Sequence, residues 1–349
     1  MSLQTQFIKF EEKIRLTWQD SRLKKIREKD ESIRSDIREA FKKEGYPVIE
    51  FFQQGSYATK TTIVPLNEDY DIDVGVVVDD DKAPDNPVEI KKKLKKVFEN
   101  RNFKNPKIKL PCVTAQYYKS DEPHFHIDYP VYKKDSNNNY SIGIGKEHSS
   151  EDIRKWEESD PKGLINWFND ITAFDNDDKS YAQYKRIIRY LKRWRNNNFS
   201  DVERKKIYSI GLAVVVRESF QKSISSDGDI SDINSLKDTI DNILFSNYFS
   251  FVDYDSNGNK QHEIKVLLPK KPYRDIFEKH GKTIGTLLFN KLTKLSEILQ
   301  FVLDESNVKK QSEILRNKVF GNDFPIPDKD DNGNKKFKEA GFVASPQGA

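Results

Sequence analysis

The chain has 349 residues, with 60 Lys and Arg against 56 Asp and Glu, a formal net charge of +4, 33% charged residues and 12% aromatic residues. So even a balance excludes a general polyanion binder and leaves nucleotide or nucleic-acid contact to local clustering. A single cysteine, Cys112, excludes a disulfide framework and a cysteine-based zinc cage, and no apolar run reaches membrane-spanning length.

From residue 7 to about 43, apolar residues recur at three, four or seven positions: Phe7, Phe10, Ile14 and Trp18, then Ile26, Ile33 and Ile37. That period predicts one long amphipathic helix with a solvated Lys/Glu/Arg face, closed by Gly45-Tyr46-Pro47. Met1 to Phe10 holds no basic leader followed by an apolar core, so a cytoplasmic protein without membrane attachment is expected. Strands dominate from 48 to about 131, broken by one helix over 88–100 that starts after Asn86-Pro87. Asp79 to Asp81 reads as a solvated loop and Asn137 to Asn139 as a hairpin tip. After about Ser149 the pattern turns helical, with Trp156 and Trp167 in short amphipathic stretches and a linker at 175–178. Tyr184, Ile187, Ile188, Leu191 and Trp194 predict an amphipathic helix over 181–196. Residues 223–235 read as a surface loop. Residues 253–259 have a calcium-loop composition but no closing glutamate, which makes them a turn between strands.

The richest stretch is 55–73, where Gly55-Ser56 leads to Asp71-Ile72-Asp73 in an apolar run. In a strand, residues two apart share a face, so Asp71 and Asp73 project together while Ile72 and Val74 pack behind. Carboxylates that close repel unless a cation holds both, and a Mg²⁺ pair does so where the substrate brings phosphates. The Gly-Ser turn upstream suits a phosphate: glycine permits close backbone approach, and a serine hydroxyl with free amides can grip the oxygens. Two metals need a third carboxylate. In His124-Phe125-His126-Ile127-Asp128-Tyr129, alternation with period two puts His124, His126 and Asp128 on one face. Asp128 is the expected ligand, and the histidines are read as its neighbours.

Gly-Ser, Asp-x-Asp and a lone Asp on a later strand resemble the DNA polymerase β-like nucleotidyltransferases. Within that superfamily the chain is similar to the bacterial CD-NTases, relatives of cyclic GMP–AMP synthase and oligoadenylate synthetase. Further resemblance lies in Trp156-Glu-Glu-Ser-Asp-Pro161, in Lys185-Arg-Ile-Ile-Arg-Tyr-Leu-Lys-Arg-Trp-Arg195, in Tyr208-Ser-Ile-Gly-Leu212 and in Phe320-Gly-Asn-Asp-Phe-Pro325. The resemblance implies an α+β fold: a polymerase β-like core of mixed twisted sheet with helices over 45–150, and a C-terminal helical lobe like the oligoadenylate synthetase bundle over 151–327. Residues 1–44 would form the bracing N-terminal helix and 328–349 a flexible tail. Fourteen residues separate Ser56 from Asp71, read as an inserted loop.

The same resemblance implies an enzyme that joins NTPs with release of pyrophosphate, giving a cyclic di- or trinucleotide second messenger for anti-phage defence. Asp71, Asp73 and Asp128 would be catalytic and bind two Mg²⁺ ions, for which Mn²⁺ can substitute. Gly55 and Ser56 would hold phosphates. On the predicted basic helix Lys185, Arg189 and Lys192 share a face, and Arg189 or Lys192, with Ser209, would grip the triphosphate. Substrates would be ATP and other NTPs (GTP, UTP or CTP), with Tyr57, Tyr117, Tyr132, Tyr248 and Tyr254 as candidates to stack on bases. No nucleic acid is required. The product would reach a downstream effector, and Gly348-Ala349 suits joining by a ubiquitin-like ligation system. Three alternatives stand beside this reading: a polymerase that tails RNA 3′ ends, a toxin-like transferase, and a silent nucleotide-binding scaffold.

Overall fold

The computed structural model describes residues 2–66, 70–101, 103–119 and 122–328, without the side chains of 119 and 122–124. Its architecture is α+β, and the chain divides into two units. The first is Leu16–Asp170 with Leu268–Arg274. The second holds the described residues before Leu16, those of Ile171–Leu267, and those from Asp275 onward.

The single helix expected over 7–43 is two helices. α1 (Leu3–Ile14) is capped by Ser2, and α2 (Lys24–Lys43) follows a 3₁₀ turn at Ser21–Leu23. Between them Leu16 donates its N–H to Thr62 O, and the Asp20 carboxylate accepts from Arg22 N. Leu16 is buried in the core of the first unit and Trp18 packs against it. Burial of Leu16 in that core outweighs continuation of the helix through this stretch. The eight-residue step from Trp18 to Ile26 is where the period lapses.

In the first unit the strands are β1 (Val48–Gln53), β2 (Tyr70–Asp79), β3 (Lys107–Ile108), β4 (Cys112–Lys119), β5 (Glu122–Lys134), β6 (Tyr140–Ile144) and β7 (Lys155–Ser159). The sheet runs β1-β2-β5-β4-β3, with β6 bonded to β5 and to β7. β2 and β5 are parallel; the other named pairings are antiparallel. A short helix, α3 (Gly55–Ala58), joins β1 toward β2, while α4 (Pro87–Asn100) and α5 (Pro161–Asn169) complete the unit. Trp156, expected in a helix, lies on β7 and donates its indole N–H to Pro84 O at 2.8 Å. The helical character begins only at Pro161, after Asp160 supplies a cap.

Ile72 and Val74 of β2, with Ile127, Tyr129 and Val131 of β5, are fully buried against Ile33 and Ile37 of α2 and Leu94 and Phe98 of α4. Each such burial is worth about 1.5–3 kcal/mol, and a one-residue slip would expose every one of them, so the register is fixed. That fixed register sets Asp71 opposite His126 and Asp73 opposite Asp128. Tyr129 also donates to Asp30 of α2 at 2.8 Å. Lys91 of α4 is buried and donates to Leu110 O at 2.7 Å and Gly145 O at 3.2 Å, tying the β3–β4 turn to the helix.

In the second unit α1 is grouped with α6 (Asp178–Asn198), α7 (Asp201–Arg204), α8 (Ser209–Ser219), α9 (Asp232–Phe245), a hairpin of β8 (Phe249–Tyr254) and β9 (Lys260–Ile264), α10 (Gly281–Asp304) and α11 (Val308–Leu315). Asp177 caps α6, and residues 255–259 are the hairpin turn. Residues 232–235, expected in a loop, form the first turn of α9 under the cap of Ser231. Phe7 and Phe10 of α1 pack with Tyr190, Phe320 and Phe324. Arg186 grips Asp232 at 2.7 and 2.8 Å, and Tyr190 adds a hydroxyl to the same carboxylate at 2.9 Å. Among the described residues no helix is long and apolar enough to cross a membrane.

Candidate active site

The polar sides of β2 and β5 come together in the first unit. Asp71 is exposed, while Asp73, His126 and Asp128 are partly buried. The His126 Nε2 lies 3.1 Å from Asp71 Oδ1. Asp71, His126 and Asp128 each offer a ligand atom, all within 4.8 Å of one another. Asp128 is held from two further directions. Thr114, its partner on β4, donates a hydroxyl to Oδ1, and Lys109 Nζ sits 3.1 and 3.2 Å from its two oxygens. Burial alone would lower the Lys109 amine, but Asp128 first among its neighbours outweighs this and raises it.

Asp73 is the most strained electrostatically. Burial first, then the charges of Asp71 and Asp128, push its carboxyl well above the usual carboxylate range. Three acids so placed are relieved by a cation, and their oxygens with one imidazole nitrogen form a donor set that divalent ions accept. The residues fit a metal.

The approach from β1 shapes the other side. Gly55 adopts φ +61°, and a Cβ built there would meet Asp73 Oδ2 at 2.0 Å. Only glycine satisfies both the backbone and the space. Gln54 N–H donates to Asp73 O at 3.0 Å, fixing the loop to β2. The Thr62 hydroxyl donates to Ser56 Oγ at 3.0 Å, which occupies a lone pair and leaves the Ser56 proton for another acceptor. The Thr59 hydroxyl donates to Gly55 O at 3.1 Å.

The residues expected on the basic helix belong to the second unit, where Lys185, Arg189 and Lys192 are buried. Lys185 lies over the rings of Tyr181 and Tyr184, 5.0 Å from each centroid. Arg189 is paired with Glu11 of α1, with Nε 3.0 Å from Oε2. Burial, then Arg195 and Arg189, pull the Lys192 amine down to about 7. Ser209 opens α8 and lies 2.6 Å from Arg195 Nη1, which donates to its hydroxyl. Of the tyrosines, Tyr57 and Tyr132 are core residues and Tyr117 stacks on Phe125 at 4.2 Å. Tyr248 donates to Glu218 at 2.6 Å, and Tyr254 is exposed on β8. The side chain of His124, and Gly348-Ala349, lie outside the described residues.

Thr62, Lys109, Thr114 and His126 were not singled out as functional by sequence reasoning. For His126 the signal was present, in the alternation it shares with Asp128. Thr114 and Lys109 carry none, because only the antiparallel register of β4 against β5 brings them to Asp128.

Residues 1–171 match the family model of the Second Messenger Oligonucleotide or Dinucleotide Synthetase domain. Over 206 residues, 56% of the chain, the sequence is 27% identical to a cyclic GMP–AMP synthase of Escherichia albertii; the match spans 42% of that protein, less than half its length. The fold is similar to the crystal structure of Vibrio cholerae DncV, a cyclic AMP–GMP synthase, with TM-score 0.62 and 19% identity over 92% of this chain and 96% of that one. It is also similar to CdnG of Bradyrhizobium diazoefficiens, a CD-NTase solved with GTP, with TM-score 0.64 and 15% identity over 92% and 95% of the two chains. These two likenesses establish the fold.

Proposed function

We propose that the chain, whose residues 1–171 match the Second Messenger Oligonucleotide or Dinucleotide Synthetase domain, is a CD-NTase and a cyclic oligonucleotide synthase, joining NTPs into a cyclic di- or trinucleotide with release of pyrophosphate. The observation that carries this reading is the placing of Asp71, Asp73 and Asp128 on two parallel neighbours, with Gly55 pressed against Asp73. ATP and GTP are the proposed substrates, following the synthases it resembles.

In the proposed reaction Asp71, Asp73 and Asp128 would hold two Mg²⁺ ions, which would supply charge neutralisation of the phosphates and acidify the attacking hydroxyl. Ser56, oriented by Thr62, donates its hydroxyl proton to a phosphate oxygen beside the backbone amides of its turn. Gly55 lets that phosphate approach the Asp73 carboxylate. Asp128, oriented by Thr114, faces the acceptor nucleotide and takes part in removing the proton of its hydroxyl. Lys109, whose ammonium faces Asp128, offsets part of the negative charge of the site. Arg189 or Lys192, with Ser209, is proposed to offset triphosphate charge. The product is proposed to activate a defence effector in the bacterial cytoplasm, and conjugation through Gly348-Ala349 belongs to the same proposal.

The test is mass spectrometry of a reaction with all four NTPs and Mg²⁺ and no RNA. A phosphatase-resistant cyclic product is expected, and Asp73→Asn should lower its yield by at least about 10³-fold with the fold intact. Undiminished product from Asp73→Asn would sink the assignment, and no product from any NTP mixture favours the scaffold.

A further inference from the structure

We propose that His126 is itself a metal ligand beside Asp71 and Asp128, and that its imidazole makes this site prefer a transition-series divalent cation to Mg²⁺. The inference deepens the reading of the same site and rests on metal binding there.

The register is the first ground. Parallel pairing sets His126 directly opposite Asp71, and alternation sends both side chains to the polar face with Asp128. The spacing is the second. The His126 Nε2 and Asp71 Oδ1 stand 3.1 Å apart. Two neighbouring ligands of one six-coordinate ion, each bonded at about 2.1 Å, stand about 3.0 Å apart. A hydrogen bond alone explains that distance too. The Asp128 ligand atom adds a third donor, completing a trio within 4.8 Å.

Charge is the third ground. Mg²⁺ depends on hard, anionic oxygens and holds its waters tightly, whereas imidazole nitrogen adds most to Co²⁺, Ni²⁺ and Zn²⁺. The trio carries two carboxylates and one imidazole, and one of those carboxylates, Asp128, already faces the Lys109 ammonium. Such a position is less anionic than three carboxylates and richer in nitrogen. Both changes favour the transition-series ion. Asp73, whose carboxyl lies against Gly55, is outside the trio and would serve the second, all-oxygen position. Two positions of unequal chemistry therefore stand side by side.

The experiment uses the full chain without nucleotide. Co²⁺ is titrated by its visible absorption, Mn²⁺ by the spin resonance of the free ion, and Mg²⁺ by competition, in wild type and His126→Gln. Co²⁺ affinity should fall about tenfold or more in the variant, with Mg²⁺ affinity changed less than about twofold. Equal losses for both ions, or none, overturn the inference. A second readout needs no variant. Bound Co²⁺ should move the imidazole proton signals of one of the five histidines far outside the normal range, and five unmoved histidines overturn the inference as well. Either failure leaves the NTP reaction untouched, and loss of that reaction with shifted signals would sink the proposed function alone.

Discussion

Thr62 decides what Ser56 can do. A serine hydroxyl can spend its proton on the protein or on a ligand, and the Thr62 hydroxyl, donating at 3.0 Å, fills the acceptor side. On the proposed reading the Ser56 proton goes to a phosphate that binds alike in the ground and transition states, so its loss should appear in KM. For Thr62→Val, which keeps shape and removes the donor, we expect KM for NTP to rise about fivefold with kcat little changed, as befits a hydrogen bond of about 1 kcal/mol. Thr62→Ser should restore it. Steady-state kinetics on the three proteins check this, and an unchanged KM in Thr62→Val removes the role. The carboxylates were legible in the sequence because a strand's period of two is local: Asp71 and Asp73 advertise their shared face within three residues. Thr62 reads as one polar residue among several, and Lys109 as one more lysine. What gives them meaning is a contact across the chain, which a local pattern does not carry.

At the scale of elements, α6 was legible as a helix with an apolar stripe, while the burial of its basic residues was not. Its stripe of Tyr184, Ile188 and Leu191 is core, and Lys185, Arg189 and Lys192 are buried beside it, the Lys185 head over rings and the Arg189 head on Glu11, 178 residues away. Amphipathic pattern distinguishes apolar from charged, and it does not see a charge neutralised from a distant helix. The same limit hid the break between α1 and α2, where Leu16 leaves helical form to enter a core assembled from later strands. Lys192 carries the testable consequence. Burial and two guanidiniums hold its amine at about 7, and a bound triphosphate would raise it. Below about pH 7 the amine is already charged and contributes fully to NTP affinity, which no longer changes with pH through this group. Above that value binding must take up a proton, so affinity weakens by up to about tenfold per pH unit until the bound-state pKa is reached. Calorimetry of ATP binding between pH 7.5 and 9 should show this weakening in wild type. Lys192→Gln should bind less tightly at pH 7.5 with a nearly flat profile, and a slope as steep as wild type would assign the effect elsewhere.

For the molecule as a whole, the contest is between a small cyclic product and an RNA tail. A polymerase that follows RNA must neutralise several phosphates along a groove, and each contact steepens the loss of affinity with salt. Here 60 basic residues meet 56 acidic ones, and part of that basic charge is consumed internally: Arg186 by Asp232, Arg189 by Glu11, Arg101 by Asp36, Lys162 by Glu50. The near-equal totals give no overall excess for a long positive track, whereas a single triphosphate asks for only a few cations. With labelled ATP, the other NTPs and a 20-residue oligo(A), label should accumulate in a phosphatase-resistant small product, and ribonuclease treatment should leave the yield unchanged. Label at the 3′ end of the oligonucleotide, with affinity for it falling about 10³-fold or more between 50 and 200 mM salt, would transfer the same carboxylates to the tailing reaction. The two outcomes use one active-site chemistry and differ only in what offers the hydroxyl, which is why the acceptor, and not the metal site, is the quantity to measure.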